Sequence, residues 1–492
     1  MKTITKYFLL IWFLCHPAWC GLSSAELVCD EILPAITSRA GAITAHALYI
    51  TDGDAITGMT HRFLNVHSLT PPEPDVSITA LCGVDRQLVV GSTAGLFMWD
   101  EIKKQWKRTL FADHHVLDVE YDGSKIWVVT DRKVFSCEPR SRKTREHTVY
   151  GLDPAERLYD IERFGTEIWV AGGSQVFTRY GIDEDLYPVM IDQPSSDIRV
   201  CAVSGNCIAV GSNVDGVRCF SKLTEQKLYP LHDNHNAGNG FITALCADGS
   251  FIWVGTFEGF YIVDLRSGAI VDRGPSDGGL CSVEFIMPFK KSMLIGTHEG
   301  LMQVRKPYQH IIIEPVKSIF DTQMQSIPFH RTALPVDALA DLRAQYRLSS
   351  FPSVWNEASV TFNDAGFTWD VSALPQTDER YELCVSVGSE TDVSVQGCAV
   401  IHLDAGQPSL SFDPLIGLNG PGPVTVTGRF NKRFVKKIVI NPGRIEAVID
   451  RTHRIFKGVV NLKDGENTIS AECIDAHNKH TKTYTVIYVS HP

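Results

Sequence analysis

The 492-residue sequence predicts an all-β protein: a β-propeller over residues 26–310, then two β-sandwiches over 311–404 and 405–492. Two observations predict it. A short apolar strand, an Asp- and Gly-rich turn and a second strand of the IWVGT kind return at about 40-residue intervals, the spacing of propeller blades. Beyond Pro307 that period stops, and strands of alternating polarity between turn signals take over, as in a sandwich. At roughly 100 to 200 residues per domain a chain of this length divides into two to four, and three is the expected count. With 44% apolar and 21% charged residues and no low-complexity tract, folding is expected throughout.

Residues 1–25 read as a cleaved signal peptide. Lys2 and Lys6 precede the apolar run YFLLIWFLC, and Ser23-Ser24-Ala25 supplies the small residues that a signal peptidase reads. Bulky Trp19 directly before Cys20 argues against lipoprotein processing, which wants a small residue there. No later window holds roughly 18 uninterrupted apolar residues, so no membrane span is expected. The expected location is the bacterial periplasm or the extracellular space.

Losing Lys2 and Lys6 with the leader takes 46 basic residues to 44 against 57 acidic ones, a formal charge of −13. That balance argues against nucleic acid or an anionic membrane as a partner, since both reward clustered Lys and Arg. The one basic cluster, Lys432, Arg433, Lys436 and Lys437, reads as a solvated strand and turn. Eleven of the 13 cysteines follow Ala25, and an oxidising compartment permits pairing. Cys384 and Cys398 flank a turn at GSETD and are placed to bridge a hairpin. Cys82, Cys201, Cys246 and Cys281 recur at nearly one repeat position, as small apolar residues would. Without a CxxC, thiolate zinc is not expected.

The repeat appears six times between residues 78 and 304, in copies starting at Ile78, Val116, Leu158, Ile198, Phe241 and Cys281. Each gives three strands and a weaker fourth, which is blade construction. A degenerate unit from Ala47 to Met59, followed by RFLNVHSL, makes seven blades, with six and eight as the alternative counts. Trp127, Trp169 and Trp253 share one place in the repeat, where a large ring fills the space between adjacent blades. Gly91, Gly172, Gly211, Gly255 and Gly296 read as close-packing or turn positions.

The segments IWVGTFEGFYIVD and MLIGTHEGLMQV resemble the propeller repeats in the periplasmic sensor regions of bacterial hybrid two-component regulators, where an ITALxxD strand leads to an LWIGTxxGL strand pair. The resemblance covers about 230 residues. The segment QYRLSSFPSVWNEA, with Tyr346, Arg347, Leu348, Phe351 and Trp355, and the later ALPQTDERYELCVSV, with Leu374, Pro375 and Tyr381, resemble the three-Tyr-type immunoglobulin-like domain that follows such propellers. The strands VTVTGRF, KKIVINPGR and DGENTISAECID resemble a bacterial immunoglobulin-like repeat. In the sensor family the propeller leads on to a membrane helix and a kinase. This sequence runs to YVSHP with neither, so recognition is expected, not direct signalling.

Catalytic signatures are absent. There is no GxSxG elbow, HExxH pair, P-loop or GxGxxG after a strand, and the acidic residues are too dispersed in sequence to nominate a glycosidase pair. One constellation remains. Loops leading into the innermost strands emerge on one propeller face; they carry His114 and His115, His232, Asp233 and His235, and, at similar positions, Asp197 and Asp277. A ring of His and Asp at a channel mouth suits a divalent metal or a hydroxyl-rich ligand; the plainer reading is that they satisfy turns. No cofactor is expected beyond such a metal. The expected function is an exported, non-catalytic binding or sensing module for a glycan, peptide or envelope protein. The alternative is a propeller-type lyase or hydrolase acting on an extracellular polymer or lactone.

Overall fold

The computed structural model describes residues 29–34, 37–71, 73, 75–108, 111–179, 185–189, 197–229, 241–274, 282–308, 311–332, 342–363, 366–376, 378–389, 392–415, 420–451 and 453–489. The expected leader lies outside them. The chain is all-β, with no helix among the described residues.

Between Cys29 and Arg305 the strands form seven four-stranded antiparallel sheets. Their first strands are Ala40–Ile43, Ile78–Val84, Val116–Tyr121, Leu158–Phe164, Ile198–Val203, Ile242–Asp248 and Val283–Phe289, and the sheets are numbered 1 to 7 in that order. Each first strand packs on the first strand of the next sheet, and that of sheet 7 packs back on sheet 1, so the series closes on itself. Sheets 1 to 6 each use four consecutive strands. Sheet 7 uses three and takes its fourth from Cys29–Pro34, which runs antiparallel to Gly300–Arg305 with Cys29 opposite Val304.

The repeat fixes more than strand order. In sheets 2 to 7 the first strand changes register after its opening residue, as at Val116/Asp118 and Leu158/Asp160, a bulge that sharpens local twist. Sheet 1, the degenerate copy, has none. Trp127 packs with Leu158 and Ile161, and Trp253 with Val283 and Ile286, so each ring fills the gap to the following sheet. Gly255 lets the next sheet approach: a Cβ there would meet Val283 at 2.5 Å.

Two expected equivalences shift by a residue. Cys82 and Cys246 sit opposite Val89 and Trp253 on matching rungs, but the matching residue of sheet 5 is Ala202, opposite Ala209. Cys201 therefore faces the other way, toward Trp169 and Ala171 of sheet 4. Likewise Gly172 pairs with the opening residue Leu158, and Ala171 takes the rung that Gly91 and Gly255 occupy elsewhere. Cys281 lies outside the described residues.

Beyond Arg305 two further pairs of sheets each enclose one apolar core. The first joins a four-stranded and a five-stranded sheet around Phe329, Phe367, Trp369, Tyr381, Leu383 and Ile401. Cys384 and Cys398 stand directly opposite one another in it and are disulfide-bonded. The second joins two four-stranded sheets around Val426, Ile438, Phe456 and Ile469. The first pair docks on sheet 5: the Gly205 carbonyl accepts from Val400 N at 2.8 Å, Asn206 Nδ2 donates to Glu382 Oε1 at 2.7 Å, and a Cβ on Gly205 would collide with the Cys398 carbonyl. The basic cluster is not the solvated face expected. Lys432 is 1% exposed and pairs with buried Asp404, and Arg433 pairs with Glu225, because the turn between the strands Gly422–Phe430 and Val435–Asn441 carries them toward these carboxylates.

Candidate functional site

In every bulged first strand the fifth residue points toward the following sheet near the trailing end of the strand. Glu120, Glu162, Cys246 and Met287 hold that place in sheets 3, 4, 6 and 7, and all four line one cavity of about 880 Å³. The turns after these strands contribute Gly165, Gly249 and Lys290, and Tyr308, Ile312 and Glu314 cover it from the segment beyond sheet 7. Part of the polar lining is internally satisfied: Asp248 accepts from Lys306 Nζ at 2.8 Å and from the Tyr308 hydroxyl at 2.9 Å.

The acidic wall belongs to sheets 3 and 4. Two residues before each glutamate, Asp118 Oδ2 accepts from Ile161 N of the next sheet at 3.0 Å, and Asp160 Oδ2 accepts from Cys201 N at 2.7 Å. These carboxylates stitch sheet 3 to 4 and sheet 4 to 5. Burial, then the neighbouring Asp160, pushes Asp118 well above the usual carboxylate range; burial also raises Asp160, against the bonds that it accepts. Burial raises Glu120 to about 7, and burial together with the charges of Glu120 and Asp160 holds Glu162 well above its ordinary value. A carboxyl whose pKa is raised keeps its proton to higher pH than an exposed one, and while protonated it can donate a hydrogen bond as well as accept. Among the described residues the only His/Cys/Asp/Glu group close enough to hold a metal is Glu382 with Cys384 and Cys398, whose sulfurs are already bonded to one another.

Of the residues nominated from sequence, His114, His115 and Asp197 are described, and these three sit elsewhere. His114 lies before the first strand of sheet 3, its ring 5.1 Å from that of Phe135, and adjacent His115 is exposed. Asp197 precedes sheet 5 and is held by Arg199 Nε at 2.9 Å and Asn213 Nδ2 at 3.2 Å. These positions are at the leading end of the first strands, opposite the turns that line the cavity. His232, Asp233, His235 and Asp277 lie outside the described residues. The sequence signal for the acidic wall was present but unread: DVE from Asp118 and DIE from Asp160 are one motif at one repeat position in adjacent copies.

No helix among the described residues is long and apolar enough to cross a membrane. No protein-family model and no curated protein matches the chain. Among solved structures it is similar to the crystal structure of the computationally designed Ika8 protein, at 15% identity and a TM-score of 0.41, over 56% of this chain and 99% of that one, a likeness too slight to carry an argument.

Proposed function

We propose that this chain is an exported recognition protein: the closed series of seven sheets is a seven-bladed propeller, the two following sheet pairs are immunoglobulin-like spacer or docking units, and the cavity among the first strands takes a ligand. One observation carries the reading: the about 880 Å³ cavity takes a lining residue from the same repeat position in four different sheets, so that part of its polarity is set residue by residue on a common frame. The occupant that fits best is a hydroxyl-rich glycan, because Glu120 and Glu162, whose carboxyls burial raises, present side chains able to donate as well as accept hydrogen bonds; a peptide or an envelope protein is the other class. The mature chain should bind an immobilised oligosaccharide or peptide library saturably and without turnover, and Glu162→Trp should abolish binding with an unchanged far-UV spectrum. Binding that survives that substitution, or no binding by the native chain, would move recognition away from the cavity.

A second reading has its own support. The raised carboxyl of Glu120 has the acidity expected of a general acid at neutral pH, which suits a lyase or hydrolase acting on an extracellular polymer or lactone. Product release from such a substrate, lost in Glu120→Gln, would establish it.

A further inference from the structure

Sheet 5 carries two thiols that nothing above employs. Cys207 opens its second strand and Cys219 lies in its third. The ladder sets Cys207 opposite Ser221 and Ala209 opposite Cys219, so the two cysteines are diagonal neighbours on one face of the sheet. Both are fully buried in one apolar cluster. Cys201 does not compete, because it points from the opposite face toward sheet 4.

We propose that Cys207 and Cys219 form a second disulfide in the mature protein, beside Cys384–Cys398. The diagonal of a twisted antiparallel ladder is within reach of a bridge after a small shear, and the shared apolar cluster holds both thiols on the same face of the sheet. The two thiols give up two protons and two electrons as the S–S bond forms, and a disulfide-bearing oxidant of the exported compartment is reduced to two thiols in exchange. The bond forms during folding, while the strands are still open, since the neighbouring Cys219, and then burial, push the Cys207 thiol well above its ordinary value afterwards. It staples the second and third strands of the sheet whose Ser204–Asn206 turn docks on the first sheet pair.

The test is a non-reducing peptide map of the exported chain, alkylated in denaturant. Trypsin should yield residues 200–218 joined to residues 219–222, two hydrogens lighter than the separate peptides and alkylated once, at Cys201. Cys219→Ser should release residues 200–218 as a free peptide alkylated twice. Cys384 and Cys398 share the tryptic peptide 381–429 and report on the compartment. Alkylation of both Cys207 and Cys219 while 384–398 stays bridged overturns the proposal. If 384–398 is also open, it is the export reading that fails, and refolding the reduced chain in a glutathione redox buffer decides the pairing: the 207–219 link forms there or the inference is wrong.

Discussion

Sheets 3 and 4 differ from sheets 2 and 6 in chemistry but not in backbone. At the third and fifth positions of the first strand, sheets 3 and 4 carry Asp118, Glu120, Asp160 and Glu162; sheets 2 and 6 carry Ala80, Cys82, Ala244 and Cys246. The rungs match: Glu120 faces Trp127, Glu162 faces Trp169 and Cys246 faces Trp253. Opposite the third position the acidic side has Val129 and Ala171, and the thiol side has Gly91 and Gly255. One side joins its sheets through carboxylates bonded to the neighbour's backbone; the other joins them by bringing apolar side chains down onto glycine. A repeat thus fixes where side chains go, and leaves open what they do there.

The largest test is on the thiol side. Gly255→Val puts there the side chain that Val129 supplies on the acidic side, and Val283 stands where the new side chain would go. The expected loss is about 3 kcal/mol by chemical denaturation; a near-neutral result would mean that glycine does not set the approach. Asp160→Ala on the acidic side leaves the Cys201 amide without its 2.7 Å acceptor and should cost about 2 kcal/mol in the same measurement.

A smaller effect appears as pH dependence. The Glu120 carboxyl titrates near 4.5 in an open chain and near 7 when folded, so the folded protein holds the extra proton between those values. Stability is therefore greatest toward the acid side of this window, falls as pH rises through it and levels off above about 7. Asp118, Asp160 and Glu162 act in the same direction. The melting temperature should fall by a few degrees from pH 5 to pH 8, and Glu120→Gln should flatten that slope; a parallel slope in the variant would assign the dependence elsewhere. The smallest effect belongs to the leading end. His115 is exposed, so His115→Ala should change stability by about 0.5 kcal/mol or less. A loss of zinc or nickel affinity in that variant would make the leading end a second site.

The repeat was legible because blade-like strands need β-branched and aromatic residues at fixed intervals, and six copies are in phase. ALYITDGDAITGM and the following RFLNVHSL show three strands of the divergent first sheet, and its first strand Ala40–Ile43 lies before them. The closing strand Cys29–Pro34 was not legible, since nothing in a six-residue segment names a partner that lies at the far end of the series. The acidic wall escaped for a different reason: Asp118 and Asp160 are 42 positions apart, and only packing of consecutive sheets brings them together. Lys432 misled because a charge run reads as solvent-facing, whereas its partner Asp404 comes from another part of the chain.

The closing strand imposes a schedule on synthesis. Of the two strands, Cys29–Pro34 emerges from the ribosome before its partner Gly300–Arg305, which follows roughly 270 residues later. At ordinary translation speeds that is a wait of about 15–50 s, during which the segment's hydrogen-bonding edge stays open to any passing strand. The last sheet cannot be completed until Arg305 has been delivered, so the series of seven sheets closes only after nearly two-thirds of the chain has been made.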